Sequence, residues 1–205
     1  MTTIKKGCRG EDVKTLQRRL NLIADGIFGK LTDEAVREFQ KSHGLSVDGI
    51  VGPKTWAALG IGNAKRNVDE IIIHYTATPE GEDFTNAQIK ASHLARGFSD
   101  IGYHWIIGPN GEIRKGRDER LAGAHCKGHN TRSIGISYVG GCPPRSVKGW
   151  RDIGKDTRTP AQKAALIKLI KEVKGRYPNA SVHGHNEFAN KPCPGFNAKE
   201  EYKNL

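Results

Sequence analysis

Beyond about residue 68, short apolar runs alternate with segments of helical periodicity, and this alternation constrains the fold more than any other feature. The run DEIIIHYTAT is rich in β-branched residues and ends in polar ones, which predicts a buried strand ending near His74. Further strands are predicted in GYHWIIG, SIGISYVGG and ASVHGH. Strands that alternate with helices are typical of a three-layer α/β domain.

Two capping boxes mark where the intervening helices begin. Thr85 and Gln88 form the first, ahead of a helix that we expect to end near residue 97. The stretch TPAQ forms the second, with Thr159 as N-cap, proline at the first helical position and glutamine closing the box. The helix that follows carries an apolar face made of Leu166, Leu169, Ile170 and Val173.

Near the N-terminus a short string occurs twice, as DGIFGKLTDEAV at 25–36 and as DGIVGPKTWAAL at 48–59. Each copy predicts a tight Asp-Gly turn, then Thr32 or Thr55 as the N-cap of a helix. The preceding segment EDVKTLQRRL predicts one more helix. Apolar residues share one face in the first two helices: Val13, Leu16, Leu20, Ala35, Val36 and Phe39. We therefore expect a small all-α domain of three helices within residues 1–60.

Between these two patterns, the stretch GIGNAKRNVDE replaces periodicity with glycine, asparagine and charge. Such a change in composition predicts a linker, here over 61–67, followed by the α/β domain over 68–205. At 205 residues and 36% hydrophobic content, the chain is long and apolar enough for a small domain joined to a medium one.

The chain is basic, with 33 Lys and Arg against 22 Asp and Glu and a net charge of +11. This balance favours polyanionic partners such as nucleic acid, anionic lipid or an acidic wall polymer, and does not choose among them. No apolar run approaches the ~20 residues of a membrane helix, and the first residues lack an apolar signal core. We therefore expect synthesis in the cytoplasm without an export signal and no transmembrane segment.

Four cysteines, at positions 8, 126, 142 and 193, show no CxxC pair and no dense disulfide spacing. A reducing compartment with one or more functional thiols is the simplest interpretation. A bridge between Cys126 and Cys142 stays an alternative.

Histidine and cysteine gather at the predicted strand ends, where functional side chains collect in α/β sheets. Neutral imidazole and thiolate bind Zn²⁺, and catalytic zinc sites use three protein ligands with the fourth position left to water. The candidates are His74, His183 or His185, and Cys193. Alternation along the last strand would place His183 and His185 on the same side, so periodicity leaves open which one is the ligand.

The strings IIIHYTAT, IGYHWII, AGAH, SIGISYVGG and HNEFANKPCPGF resemble, in that order, the zinc-dependent N-acetylmuramoyl-L-alanine amidases of the phage-lysozyme type, which share their fold with the peptidoglycan recognition proteins. The resemblance covers residues 68–198. It implies a mixed central sheet flanked by helices. It also implies hydrolysis of the amide between N-acetylmuramic acid and the L-alanine of the stem peptide.

The most specific part of this resemblance is a histidine, a lysine six positions later and then Cys-Pro. Here these residues are His185, Lys191 and Cys193 with the proline that follows it. By that match the zinc ligands are His74, His185 and Cys193. His183 is then left to support a ligand or to pack within the strand.

The resemblance also implies roles for residues around the metal. Zinc makes water nucleophilic near neutral pH, and the tetrahedral intermediate carries an oxyanion that needs a donor or a cation beside it. Lys191 is expected to meet that charge, and Tyr103 corresponds to the active-site tyrosine of the family. His125 corresponds to a position on the rim of the substrate groove. Structural roles are expected for the other histidines and for two tryptophans: His43, His93, His104, His129, Trp105 and Trp150.

The duplicated string resembles the three-helix peptidoglycan-binding module that accompanies many wall hydrolases, over about residues 5–60. Trp56 and Leu59 are expected in its core. Together the two resemblances imply a bacteriolytic phage endolysin with Zn²⁺ as cofactor and bacterial peptidoglycan as partner. They imply a monomer without a specific nucleic-acid target, which stays in the host cytoplasm until lysis and then acts on the cell wall.

Three other functions compete with this one. A binding-only recognition protein would share the fold but lack the thiolate ligand, so Cys193 argues against it. A cytosolic recycling amidase would share the zinc chemistry but would have little use for residues 5–60. A nucleic-acid binder would explain the charge, yet the sequence contains no helix-turn-helix, zinc-finger or aromatic RNA-binding motif.

Overall fold

The computed structural model describes residues 2–60 and 66–205, and the chain divides into two compact units, Met1–Lys65 and Arg66–Leu205. Most of the predicted linker at 61–67 lies outside the described residues. The two units are therefore described separately.

Within residues 2–60 the first unit contains three helices, α1 (Glu11–Arg19), α2 (Lys30–Ser42) and α3 (Pro53–Ala58). This confirms the expected all-α architecture. The buried apolar side chains are Ile4, Val13, Leu16, Phe28, Val36, Val51, Trp56 and Leu59. Trp56 and Leu59 lie in this core, as the sequence predicts, and the indole Nε1 of Trp56 donates a hydrogen bond to the carbonyl oxygen of Thr2.

A buried glutamine holds each copy of the repeat together. The two hydrogens of Gln40 Nε2 are shared among three oxygens, which are Asp48 Oδ1 at 2.9 Å, Ile50 O at 3.0 Å and Thr55 Oγ1 at 3.3 Å. The Oε1 of the same side chain accepts the backbone N–H of Gly49 at 3.0 Å. This network ties the end of α2 to the turn and to the first residues of α3.

Gln17 makes the same set of contacts in the first copy, with Asp25, Ile27, Thr32 and the N–H of Gly26. The recurring Asp, Gly, Ile and Thr are thus the partners of a glutamine eight residues before the aspartate. The prediction that the threonines cap the helices is wrong. The N-caps of α2 and α3 are glycines. Each threonine lies in the first turn of its helix, where its hydroxyl oxygen accepts a hydrogen bond from the glutamine amide.

The described part of the second unit contains a five-stranded sheet. Its strands are β1 (Glu70–Tyr75), β3 (Trp105–Ile107), β4 (Ile113–Lys115), β5 (Ser133–Tyr138) and β7 (Ser181–Gly184), in the order β4-β3-β5-β1-β7. All neighbours are parallel except β3 and β4. Two further short strands, β2 (Thr78–Pro79) and β6 (Gly141–Cys142), pair in parallel beside it.

Helices cover both faces of the sheet, which confirms the expected mixed α/β fold. Helix α4 (Asn86–Ala95) begins at the predicted capping box of Thr85, and α5 (Pro160–Arg176) begins at that of Thr159. The apolar residues of α5 and of the short α6 (Ala198–Glu201) pack with alternate side chains of β1. On the opposite face, α4 packs through Ile89 against a smaller apolar cluster.

The strand boundaries differ from the expected ones at two places that matter for function. The strand predicted in GYHWIIG is confined to β3, so Tyr103 precedes it. The strand predicted in ASVHGH ends at Gly184, and His185 begins a 3-10 turn, His185–Glu187. The expectation that His183 and His185 share one side of a strand is therefore wrong, because the backbone turns between them.

Candidate metal centre

The register of the sheet brings two histidines together. His74 is the fifth residue of β1, the strand that lies between β5 and β7. Ile73 pairs with Gly184, the last residue of β7, so His185 emerges beside His74 at the same edge. The carboxyl ends of parallel strands meet at one edge of a sheet, and sites form there in open α/β folds. The two imidazole centroids are 4.6 Å apart.

Cys193 approaches the same point from the segment that follows the 3-10 turn. Its Sγ accepts the backbone N–H of Tyr75 at 3.3 Å and lies 3.8 Å from Nδ1 of His74. One ligand atom each from His74, His185 and Cys193 lie within 4.8 Å of one another. His183 takes no part in this cluster, since its ring nitrogens contact Ser181 and Glu187.

These three side chains suit a borderline-soft cation such as zinc. Zn–N bonds of about 2.0 Å and Zn–S bonds of about 2.3 Å imply separations between ligand atoms of roughly 3.3 to 3.6 Å in a tetrahedral site. The observed separation of 3.8 Å between Nδ1 of His74 and Sγ of Cys193 is close to that range. Two imidazoles and one thiolate would leave the fourth tetrahedral position for water.

The electrostatics of the cluster agree with a metal site. Burial lowers the pKa of His74 well below its usual value. Burial and then the positive charge of Lys191 lower the pKa of His185 to about 4. Both rings are thus neutral at pH 7, the form that binds metal. Burial raises the pKa of the Cys193 thiol to about 12, so a thiolate at this position requires a cation beside it.

Tyr103 borders the cluster on the α4 side. Its ring centroid lies 5.3 Å from that of His74, and its phenol donates a long hydrogen bond of 3.4 Å to the carbonyl oxygen of Tyr75. Burial raises the pKa of Tyr103 well above its usual value, so the phenol keeps its proton. His93, for which only a structural role was expected, packs against Tyr103 with ring centroids 5.1 Å apart.

Lys191 lies on the exposed side of the cluster. It lines a cavity of about 420 Å³ together with His125, His185, Phe98 and Phe188. A second cavity, of about 240 Å³, begins two residues beyond His74 and is lined by Arg96, Arg145, Trp150 and Arg151, among others. The second unit therefore has one cavity lined by His185 of the cluster and another lined by residues that follow His74 along the chain.

His125 lines the first cavity and also contacts a candidate ligand directly, since its Nδ1 lies 3.0 Å from Nε2 of His74. The sequence placed His125 near the substrate but contained no signal for this contact, which joins residues 51 positions apart. His104 is buried and structural, with Nδ1 accepting the N–H of Gly135 and Nε2 lying 3.0 Å from the carbonyl oxygen of Leu121.

The remaining cysteines are not bridged. All four cysteines belong to the described part of the chain and are free thiols, so the alternative of a Cys126 to Cys142 bridge does not apply. Among the helices of the described residues, none has the length and apolar character needed to cross a membrane.

The second unit thus combines a mixed α/β sheet with three potential metal ligands at its carboxyl edge. Residues 64–196 match the N-acetylmuramoyl-L-alanine amidase family, and residues 9–59 match the putative peptidoglycan binding domain family. The chain belongs to the N-acetylmuramoyl-L-alanine amidase family.

Two phage proteins illustrate the relationship. The endolysin of Escherichia phage T7 is 36% identical over 135 residues, which are 66% of this chain and 85% of that protein. The endolysin of Klebsiella phage KP32 shows the same identity and coverage. This chain is therefore a peptidoglycan amidase that is similar to phage endolysins.

Solved structures agree with this assignment. The amidase LysC from Clostridium intestinale is 31% identical with a TM-score of 0.54, covering 66% of this chain and 81% of that one. A mutant of Drosophila PGRP-LB in complex with tracheal cytotoxin is 26% identical with a TM-score of 0.55, covering 69% and 83%. Both likenesses support the expected fold, and peptidoglycan is the partner that the family matches indicate.

Proposed function

We propose that the second unit cleaves the bond between N-acetylmuramic acid and L-alanine by means of a zinc-activated water molecule. His74, His185 and Cys193 would hold the zinc. The observation that supports this set is the convergence of their three ligand atoms within 4.8 Å at the carboxyl edge of the sheet. When bound, zinc supplies a water molecule whose pKa is near 7 and polarises the scissile carbonyl.

Tyr103 and Lys191 would stabilise the negative charge that develops on the carbonyl oxygen. The phenol of Tyr103 keeps its proton, and its 3.4 Å bond to the carbonyl oxygen of Tyr75 is weak enough to exchange for a stronger one to substrate. The ammonium of Lys191 lies on the cavity side of the cluster. Removing one such donor commonly lowers the rate about 10² to 10³-fold.

The first unit would hold the enzyme on the wall while the second cuts. The chain has a net charge of +11, which would speed its encounter with an anionic envelope and make that encounter sensitive to salt. We further infer that the enzyme works as a monomer, accumulates in the host cytoplasm and reaches the wall once the membrane is permeabilised.

The deciding experiment is mass spectrometry of purified peptidoglycan digested with the native protein and with chelator-treated protein. We expect free stem peptides that begin with L-alanine beside intact glycan chains, and we expect chelation to abolish them. Re-addition of Zn²⁺ should restore the products, and elemental analysis of the native protein should give one zinc per chain.

Other products would contradict the proposal in recognisable ways. Cleaved glycan or cut cross-bridges would place the chemistry at another bond. Undigested wall that still retains the protein would favour a recognition function. Digestion that survives complete removal of metal would refute the zinc mechanism while leaving the bond assignment in place.

A further inference from the structure

The His125 imidazole is held at both of its nitrogens. Nδ1 lies 3.0 Å from Nε2 of His74, and Nε2 lies 3.4 Å from the hydroxyl oxygen of Ser133. The Ser133 hydroxyl in turn donates to the carbonyl oxygen of His129 at 2.7 Å. A continuous chain of polar contacts thus runs from the candidate metal ligand into the loop before β5.

The direction of the hydrogen bonds in this chain follows from the short bond between Ser133 and His129. The carbonyl oxygen of His129 accepts, so the Ser133 hydroxyl donates to it and accepts from Nε2 of His125. A neutral His125 protonated at Nε2 has a free lone pair at Nδ1, which accepts from Nε2–H of His74. His74 is then left with its lone pair at Nδ1, the nitrogen that faces Cys193.

Two glycines leave room for the His125 ring. A Cβ atom added at Gly123 would approach the ring to 2.3 Å, and one added at Gly135 would approach it to 2.5 Å. Any larger residue at either position would displace the imidazole. The absence of side chains on both therefore allows the ring to lie between the loop and β5.

The loop that carries His125 is tied down at its backbone. The Asn130 side chain accepts the N–H groups of His125 and Cys126 at 2.8 and 3.0 Å. The guanidinium of Arg66 donates to the carbonyl oxygens of Asn130 and Ser133, both at 2.8 Å. The imidazole is therefore positioned before any ligand arrives, which is the condition for orienting a neighbouring group at little entropic cost.

We propose that His125 is a positioning residue that fixes the tautomer and ring orientation of His74, so that Nδ1 of His74 is presented to the metal. Metal-binding histidines generally donate the N–H of their second ring nitrogen to a carboxylate, a backbone carbonyl or water, and loss of that partner typically weakens metal affinity 10 to 100-fold. Here Nδ1 of His125 takes the place of such an acceptor. This role adds to the predicted position of His125 near the substrate. It rests on the ligand set of the proposed function.

The test is Zn²⁺ affinity of the full chain in the absence of substrate, measured by competition with a chromophoric chelator. His125→Ala should weaken binding 10 to 100-fold. In His125→Asn, the side-chain oxygen lies near the position of Nδ1 and should restore affinity to within a few fold of the native value. His183→Ala is the matched control, because the ring nitrogens of His183 contact Ser181 and Glu187 and its ring packs near Phe188, none of which is a candidate ligand. This variant should leave affinity unchanged.

Substitution of Co²⁺ for Zn²⁺ provides a second readout. The visible absorption bands of Co²⁺ report on ligand geometry, and we expect them to shift in His125→Ala and to return toward the native spectrum in His125→Asn. A role in packing alone would affect both variants equally, and that result would overturn the proposal. Native Zn²⁺ affinity in His125→Ala together with a raised KM for a soluble muropeptide would overturn it in favour of substrate contact.

The same measurements separate this inference from the ligand assignment. If Cys193→Ser binds Zn²⁺ as tightly as the native protein, the ligand set is wrong and the role of His125 falls with it. If Cys193→Ser loses the metal while His125→Ala keeps native affinity, the ligand set stands and only the positioning role is refuted.

Discussion

Replacing Gln40 by alanine should strongly destabilise the first unit and leave the second intact. The Gln40 side chain is 1% exposed and makes four hydrogen-bonding contacts, three that share the two hydrogens of Nε2 and one through Oε1. Alanine removes all four and leaves the N–H of Gly49 and the hydroxyl of Thr55, both belonging to buried residues, without this partner.

The expected cost follows from those bonds. Two amide hydrogens and one accepted bond, at a net value of about 0.5 to 1.5 kcal/mol each, give about 1.5 to 4.5 kcal/mol, and we take the middle of this range, about 3 kcal/mol. An all-α unit of this size rarely has more than about 3 to 5 kcal/mol of stability. The substitution would therefore remove most of this stability, and wall binding should weaken as the unfolded fraction of the unit rises.

Hydrogen exchange followed by mass spectrometry measures this directly. The most protected amides of residues 2–60 should exchange roughly 100-fold faster in Gln40→Ala, since about 1.4 kcal/mol corresponds to a factor of ten. Lys41→Ala, at the exposed neighbouring position, is the matched control, and peptides from 66–205 give the internal reference. Exchange within threefold of native in Gln40→Ala would refute the view that this network stabilises the unit.

Three further predictions concern the second unit. Cys193→Ser should abolish both metal retention and lysis, whereas His183→Ala should spare both. Elemental analysis measures the metal and a turbidity assay measures lysis. The ligand assignment fails if the two variants behave alike. Tyr103→Phe and Lys191→Ala should each keep the metal and lower kcat about 10² to 10³-fold, and full activity in either would remove that residue from the mechanism. Burial lowers the pKa of His104 to about 3, below the unfolded value near 6.5, so the unfolded state takes up the proton first. Its contribution to stability is therefore complete above pH 6.5 and is lost as the pH falls toward 3, by about 1.4 kcal/mol per pH unit. The free energy of unfolding of the metal-free protein, measured by denaturation across this range, should depend less steeply on pH in His104→Gln.

Sequence patterns predicted the elements whose signals are local. Both capping boxes begin helices where expected, because Thr85 and Thr159 satisfy free backbone N–H groups within four residues of themselves. The apolar run of β1 likewise predicts a strand buried on both faces. The short edge strand β4 was not predicted from the sequence. It has only three residues, which are too few for a recognisable alternation of apolar and polar positions.

Contacts between distant residues could not be derived in this way. Gln17 and Gln40 lie on helices where a glutamine is ordinarily solvated, and only the fold shows that each is buried against the following turn. The contact of His125 with His74 depends on a loop that crosses the end of the sheet. Nor could periodicity choose between His183 and His185, since the choice depends on where β7 ends.

The pairing of β1 with its neighbours is what converts these separate residues into a site. Ile71 and Ile73 pack on the α5 face, so His74, the residue after Ile73, points to the opposite face at the carboxyl edge. A shift of β1 by one residue would exchange the two faces of the strand and place the imidazole among the apolar side chains of the core. The same shift would remove Ile71 and Ile73 from that core, which would destabilise the sheet. The apolar residues that fix the register therefore also fix the position of the ligand, and the metal centre depends on the core of the sheet as much as on its own three side chains.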